Sequence, residues 1–358
     1  MIPGIPPETR PRLISRFHPG SGQGHYKATS YYEVQRSLAL QHLGLRYKTK
    51  STCKPTPFCP IIRIQPLNPL FSNPNTPNMS FPPWTSTTRH DTYPAISPTN
   101  PALSSKGKVI LITGGGSGIG AATAISFAKS GARAVIITGR TEKSLAASAA
   151  AIKALGLGCE ARYFVADVED APRIEAIFSA VSVECGKIDV VVSNAGYLPD
   201  HSLLKDARLE DWWRAFQVNT LGGFTVLQAF LRHASREGTF ITIASALAHL
   251  YFPGFSSYGA SKLAAVKLVQ DAQGEWPERR FFSVQPGLID TETSSKSNVP
   301  GEDTVDLPAG LSVWLASPEA DFLKGRMLWA NWDVEELKSK EEEIVDGDLL
   351  KIVLKGWP

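Results

Sequence analysis

The stretch VILITGGGSGIG, residues 109–120, decides the fold. Five apolar or β-branched residues run straight into a cluster of glycines. Glycine inside a regular element costs stability, because the unfolded chain loses more freedom on ordering it. Such a cluster is either a tight turn or a place where something approaches the backbone closely. Gly114, Gly118 and Gly120 follow an apolar strand and open an Ala-rich helix, in the spacing T-G-x-x-x-G-x-G. In that position a glycine turn seats a pyrophosphate on the helix N-terminus, where unpaired N–H groups and the helix dipole favour an anion. The strand–turn–helix context is what such a motif requires.

Working outward, apolar strands alternate with helical patterns. Strands are expected at 108–113 (KVILIT), 133–138 (RAVIIT), 161–167 (ARYFVAD), 188–196 with its turn (IDVVVSNAG), 239–245 (TFITIAS), 280–287 (RFFSVQPG) and 326–331 (RMLWAN). Helices are expected at 119–130, 141–155, from Pro172 onward, at about 209–233 as one long element, and at 257–273 and 307–316. Short strands that are apolar on both faces and separated by helices define an α/β fold. It is a doubly wound, Rossmann-like parallel sheet of about seven strands with helices on both faces.

The rest of the chain reads differently. Of 358 residues, 1–78 carry 10 basic and 2 acidic side chains, and the remainder 27 and 32. The net charge of +3 therefore belongs to the N-terminal region and gives no argument for nucleic-acid binding by the main domain. Residues 1–104 are proline-rich and read as a disordered extension, with one helical candidate at 31–45; residues 105–358 read as a single domain with a C-terminal tail. The extension fits an organelle transit segment, a docking arm, or a gene-model artefact in which translation starts at Met79; the last is preferred, and a cytoplasmic protein is expected. No apolar run approaches the ~18 residues of a membrane span. Cys53, Cys59, Cys159 and Cys185 are scattered, so unpaired thiols and no metal are expected.

Several motifs in register resemble the short-chain dehydrogenase/reductase family, in its single-domain branch, over residues 106–333. TGGGSGIG (113–120) resembles the family's cofactor turn, SNAG (193–196) its N-N-A-G, YGASK (258–262) its Y-x-x-x-K, and QPGLIDT (285–291) its P-G-x-x-x-T segment. The resemblance implies a dinucleotide held by Thr113, Gly114, Ser117, Gly118, Ile119, Gly120, Asp167, Val168, Asn194, Ala195, Gly196, Pro286, Gly287, Ile289 and Thr291, together with Tyr258 and Lys262. It implies a catalytic set of Asn219, Ser245, Tyr258 and Lys262, with Asn219 anchoring a water that links Lys262 to solvent. The family usually ends its last strand with a glycine pair. This chain has LWANWDVEEL (328–337), then the acidic SKEEEIVDGDLL (339–350), read as a solvated helix face, and a tail similar to fungal members. A homodimer is therefore as fitting as a homotetramer.

The chemistry of these residue types agrees with the resemblance. Tyr258 and Lys262 are four apart on an expected helix and project from one face. A nearby ammonium favours a phenolate and should lower the tyrosine's pKa, so that Tyr258 exchanges a proton with an alcohol or carbonyl. Ser245 would hold the reacting oxygen. At the end of the second strand stands Gly139, where an acid would accept a ribose hydroxyl, followed by Arg140. A guanidinium suits a 2′-phosphate, so NADP(H) is expected over NAD(H), with Arg140 and Thr141 on the phosphate. The aromatics of HLYFPGFSSY (249–258), Tyr197 and a polar flap at 288–307 imply a mostly apolar ketone, aldehyde or secondary alcohol, with a place in secondary metabolism; His201 and His249 lack partners that would make them bases. The alternatives are a non-catalytic dinucleotide sensor, which has no need of the proton-transfer set, and an epimerase or dehydratase, disfavoured by turn spacing and length.

Overall fold

The computed structural model describes residues 84–291, 294–297 and 300–355. The basic region 1–78, the helical candidate at 31–45, Cys53 and Cys59 lie outside the described residues.

Seven parallel strands form one sheet in the order β3-β2-β1-β4-β5-β6-β7. They are β1 Val109–Thr113, β2 Ala134–Gly139, β3 Glu160–Val165, β4 Ile188–Ser193, β5 Ala234–Ile243, β6 Arg280–Gln285 and β7 Met327–Trp329. The crossovers carry α1 Gly118–Lys129, α2 Glu142–Ala154, α3 Ala171–Glu184, α4 Leu209–Phe216, α5 Gly223–His233, α6 Ser256–Glu275 and α7 Asp306–Leu315. Successive strand residues point to opposite faces. Ile110 and Ile112 meet Phe127 of α1 and Trp314 of α7 in one core, while Val109 and Leu111 meet Phe178 of α3 and Phe230 of α5 in the other. That is why the strands read as continuous apolar runs rather than alternating ones.

Three local expectations change. The long helix at 209–233 is broken between α4 and α5 by a π-helical turn, Gln217–Gly222. This turn swings Asn219 inward, and Gly222 is required there because a Cβ would stand 2.6 Å from Val168 Cγ2. Single π turns inside helices often mark functional positions. β5 begins earlier than expected: Ala234 pairs with Ile188, and after a register shift Thr239 pairs with Val190. The acidic stretch after β7 forms α8 Val334–Ser339 and α9 Glu341–Asp346; the glutamates 341–343 are exposed as expected, but Ile344 is buried and anchors α9.

The chain is packed ahead of residue 105 as well. Residues 84–104 form a strap packed on the body, with Tyr93, Ile96 and Leu103 buried. Its prolines do not prevent order. Pro94 and Pro101 open short 3-10 turns, where the missing N–H is no loss. The strap is tied by its charges and backbone to the segment after β7. Arg89 pairs with Asp333 at 2.7 Å, and Glu336 accepts the Ser86 and Thr87 N–H groups at 2.6 and 2.9 Å. These partners lie some 250 positions away in sequence, so no local pattern announces them.

Candidate active site

The strand order reverses between β1 and β4, and a crevice opens at the carboxyl ends of the strands at such a point. A cleft of about 1600 Å³ lies there. The glycine turn forms one end of it. Gly114 and Gly118 have φ of +66° and +52°, a region that only glycine enters freely. A Cβ on Gly120 would stand 2.3 Å from the Gly114 carbonyl oxygen, so helix and turn close on each other only without a side chain. Ser117, at the N-cap of α1, spends no side-chain hydrogen bond on the helix. The N-terminus of α1 therefore faces the cleft with room beside it, and the residues present fit the diphosphate of a dinucleotide.

Most of the expected binding residues line this cleft: Gly114, Ser117, Gly118, Ile119, Asp167, Val168, Asn194, Ala195, Gly196, Pro286, Gly287, Ile289 and Thr291. Arg140 and Thr141 line it too, both exposed, and the Arg140 guanidinium has no carboxylate partner among the described residues. Thr113 and Gly120 sit behind the wall instead. The Thr113 hydroxyl accepts the N–H groups of Asn194 and Ala195, each at 3.1 Å, and so clamps the ends of β1 and β4 together. Asn194 returns its amide to the carbonyls of Thr113 and Gly114 at 3.0 and 3.1 Å.

At the other end, Ser245, Tyr258 and Lys262 come together on the cleft wall. Ser245 caps a 3-10 turn, Ala246–Ala248, by accepting the Leu247 N–H at 3.2 Å. Tyr258 and Lys262 lie one turn apart on α6, and the Lys262 ammonium stands 5.8 Å from the centre of the Tyr258 ring. Lys262 is buried and donates to the Ile243 carbonyl at 2.7 Å. Asn219 does not reach the cleft. Its amide accepts from the Tyr197 N–H at 2.8 Å and donates to the Tyr197 carbonyl and Ser261 Oγ at 2.9 and 3.0 Å. That side chain joins the π turn to α6 and to the segment after β4.

The electrostatics differ from the expectation that Lys262 lowers the tyrosine's pKa. Burial pushes Tyr258 up to about 12, opposed by its hydrogen bond with Ser245. Burial also pulls Lys262 down to about 8. Desolvation disfavours whichever form is charged, so it moves the two groups in opposite directions. A lysine depressed from 10.5 in the unfolded chain is a stability cost at neutral pH. The cost is absent above about 10.5 and returns in full as pH falls through about 8. Wild-type stability should therefore gain on that of Lys262→Met as pH rises across this window, measured by thermal melting. A constant difference would show that Lys262 is not desolvated.

Sequence reasoning missed one wall of the cleft. Thr88 and His90 reach it from the strap, Trp329, Asn331 and Trp332 from the β7 end, and Leu350 to Ile352 from the tail. Only the two tryptophans of LWANW, standing where the family has glycines, offered any signal. His249 accepts the Trp329 indole N–H at Nε2, 3.1 Å away, a partner that does not make it a base, and burial lowers its pKa.

A family model described as short chain dehydrogenase matches residues 108–300. A short chain dehydrogenase/reductase of the fungus Claviceps purpurea is 36% identical over 77% of this chain and 95% of its own. Among solved structures, a gluconate 5-dehydrogenase from Burkholderia cenocepacia in complex with NADP and tartrate is 27% identical, with a TM-score of 0.60 over 66% of this chain and 98% of its own. A xylitol dehydrogenase bound to NAD+ is 26% identical, with a TM-score of 0.58 over 63% and 98%. The chain belongs to the short-chain dehydrogenase/reductase family, oxidoreductases that use NAD(P) on CH–OH and C=O groups of small molecules. Among the described residues, no helix is long and apolar enough to cross a membrane.

Proposed function

We propose that this chain is an NADP(H)-dependent reductase of a mostly apolar ketone or aldehyde in fungal secondary metabolism, with Tyr258 as the proton donor. The observation that carries the reading is the meeting of Ser245, Tyr258 and Lys262 on the wall of a cleft whose far end is the glycine turn. Gly114, Ser117, Gly118 and Ile119 would hold the diphosphate, Asp167 and Val168 the adenine side, and Asn194 to Gly196 with Pro286, Gly287, Ile289 and Thr291 the nicotinamide side. When bound, the nicotinamide supplies the hydride. The Ser245 hydroxyl hydrogen-bonds the carbonyl oxygen and fixes it beside Tyr258. With its pKa near 12 the phenol is fully protonated at neutral pH, which is the form a reduction needs. It gives its proton to the carbonyl oxygen and becomes a phenolate. Lys262, still mostly an ammonium at pH 7, stabilises that charge as it develops, an attraction strongest where water is excluded. Asn219 acts through Tyr197 and Ser261 as a positioning residue for α6.

Arg140 is the proposed site of the 2′-phosphate, because its guanidinium stands exposed and uncommitted on the cleft. A charged hydrogen bond is worth about 1.5–3 kcal/mol. Arg140→Glu should therefore cut NADPH affinity about 10- to 100-fold and turn the preference toward NADH; an unchanged ratio of the two affinities overturns the assignment.

The same proposal includes a unit that begins at the strap rather than at residue 105, and a cytosolic setting in keeping with the unbonded thiols of Cys159 and Cys185. It includes self-association as a homodimer or homotetramer, supported by the exposed Leu209, Trp213, Leu221 and Phe224 along α4, the π turn and α5. The decisive experiment for the reading is NADPH oxidation by the purified chain against a panel of ketones, aldehydes and quinones. Dinucleotide binding without turnover of any member would instead favour a sensor.

A further inference from the structure

The wall that the sequence did not announce has its own chemistry. Trp329 and Trp332 lie nearly parallel, with ring centres 6.2 Å apart and 10° between planes. Trp84 of the strap leans on Trp332 at 6.3 Å, and His249 stands against Trp329 at 5.7 Å. Both members of the parallel pair border the cleft, yet neither is fully buried. A rigid pair of aromatic planes on a cleft wall favours a flat ring laid against it over a puckered one of equal volume.

A polar group stands on the same wall. His90 Nδ1 is 2.6 Å from Asp303 Oδ1. The buried Asp303 carboxylate also accepts the Asn331 amide at 2.9 Å and the Leu288 N–H at 2.6 Å. A carboxylate that takes hydrogen bonds from three sides acts as acceptor to each, so His90 donates through Nδ1. In its neutral form the imidazole is then the tautomer whose Nε2 is an acceptor. His90 is about half exposed and borders the cleft, and its Nε2 has no partner among the described residues. His90, Asp303, Trp329, Asn331 and Trp332 all fall outside the 108–300 span that the family model matches.

We propose that the substrate is a flat hydroxyaryl carbonyl compound, its ring system laid along Trp329 and Trp332 and its hydroxyl donating to His90 Nε2. The inference rests on the reading of Tyr258 as proton donor only for what happens next, not for binding. Asp303 and Asn331 act through His90 as positioning residues.

Three ketones of similar size separate the contributions: 6-hydroxy-1-tetralone, 1-tetralone and the saturated 1-decalone. Calorimetric titration of the full chain with NADP+ present should rank them in that order. Each step should be roughly three- to tenfold in Kd, the size of one aromatic contact and of one neutral hydrogen bond. Trp329→Leu should erase the preference for tetralone over decalone, and Trp329→Phe should restore most of it. His90→Phe should erase the preference for the hydroxylated ketone and leave the other step intact. Each readout is a ratio within one protein, so a lowered folded fraction does not imitate it. Equal affinities in the wild type, or ratios that survive the substitutions, overturn the proposal. NADPH oxidation with the same ketones tells the two readings apart. The ranked affinities without turnover leave the wall in place and remove the reductase, whereas equal turnover of tetralone and decalone does the reverse.

Discussion

Tyr258→Phe should lower kcat for ketone reduction by about 10²–10⁴, the range that a positioned general acid contributes. The substitution removes one oxygen and keeps the ring. Lys262 remains anchored on the Ile243 carbonyl, and the Ser245 cap on Leu247 is untouched. NADPH affinity should therefore change by less than about threefold, or under 1 kcal/mol, and the melting temperature should hardly move. This pattern separates loss of the proton from loss of the fold. Ser245→Ala should cost less, because it removes a hydrogen bond to the reacting oxygen but leaves the acid in place. Turnover in Tyr258→Phe within tenfold of wild type would mean that another group delivers the proton.

The second large effect concerns stability. Trp314 is fully buried on α7, within the core that joins Phe127 of α1 to Ile110 and Ile112 of β1. Its indole N–H is not orphaned, since it donates to Glu319 at 3.2 Å. Trp314→Ala should destabilise the protein by about 3–5 kcal/mol, through lost burial plus the cavity left behind. In a domain of this size each kcal/mol is worth about 2–4 °C, so Tm should fall by roughly 6–20 °C. Because α1 rests on α7 and begins at the glycine turn, dinucleotide binding should weaken as well. A loss below about 1 kcal/mol would show that this face of the sheet is not close-packed.

How much of this was legible beforehand follows from the range over which each interaction acts. The glycine turn was legible because its cause is local: the backbone there needs positive φ at Gly114 and Gly118, and Gly120 must meet Gly114 without a side chain. Tyr258 and Lys262 were legible as a pair because a helix brings residues four apart onto one face. The break in the helix at 217–222 was not, since Gly222 weakens a helix without saying which turn it makes, and the π turn is held by Asn219 reaching Ser261 and Tyr197. The strap was misread because proline density predicts disorder only when nothing distant offers a partner, and here Asp333 and Glu336 do.

The periodicity of apolar residues and the spacing of a few glycines, one tyrosine and one lysine determined the doubly wound sheet, the family and where the candidate pair Tyr258 and Lys262 stands on its helix. Those features are written in contacts between near neighbours, or in the uniform demand that both faces of a parallel sheet be covered. Tertiary structure alone decided which proton is held where, because the pKa values of Tyr258 and Lys262 are set by burial. It alone decided the shape of the substrate wall too, since His90, Asp303 and Trp329 meet only after some 240 residues of chain have folded between the strap and β7.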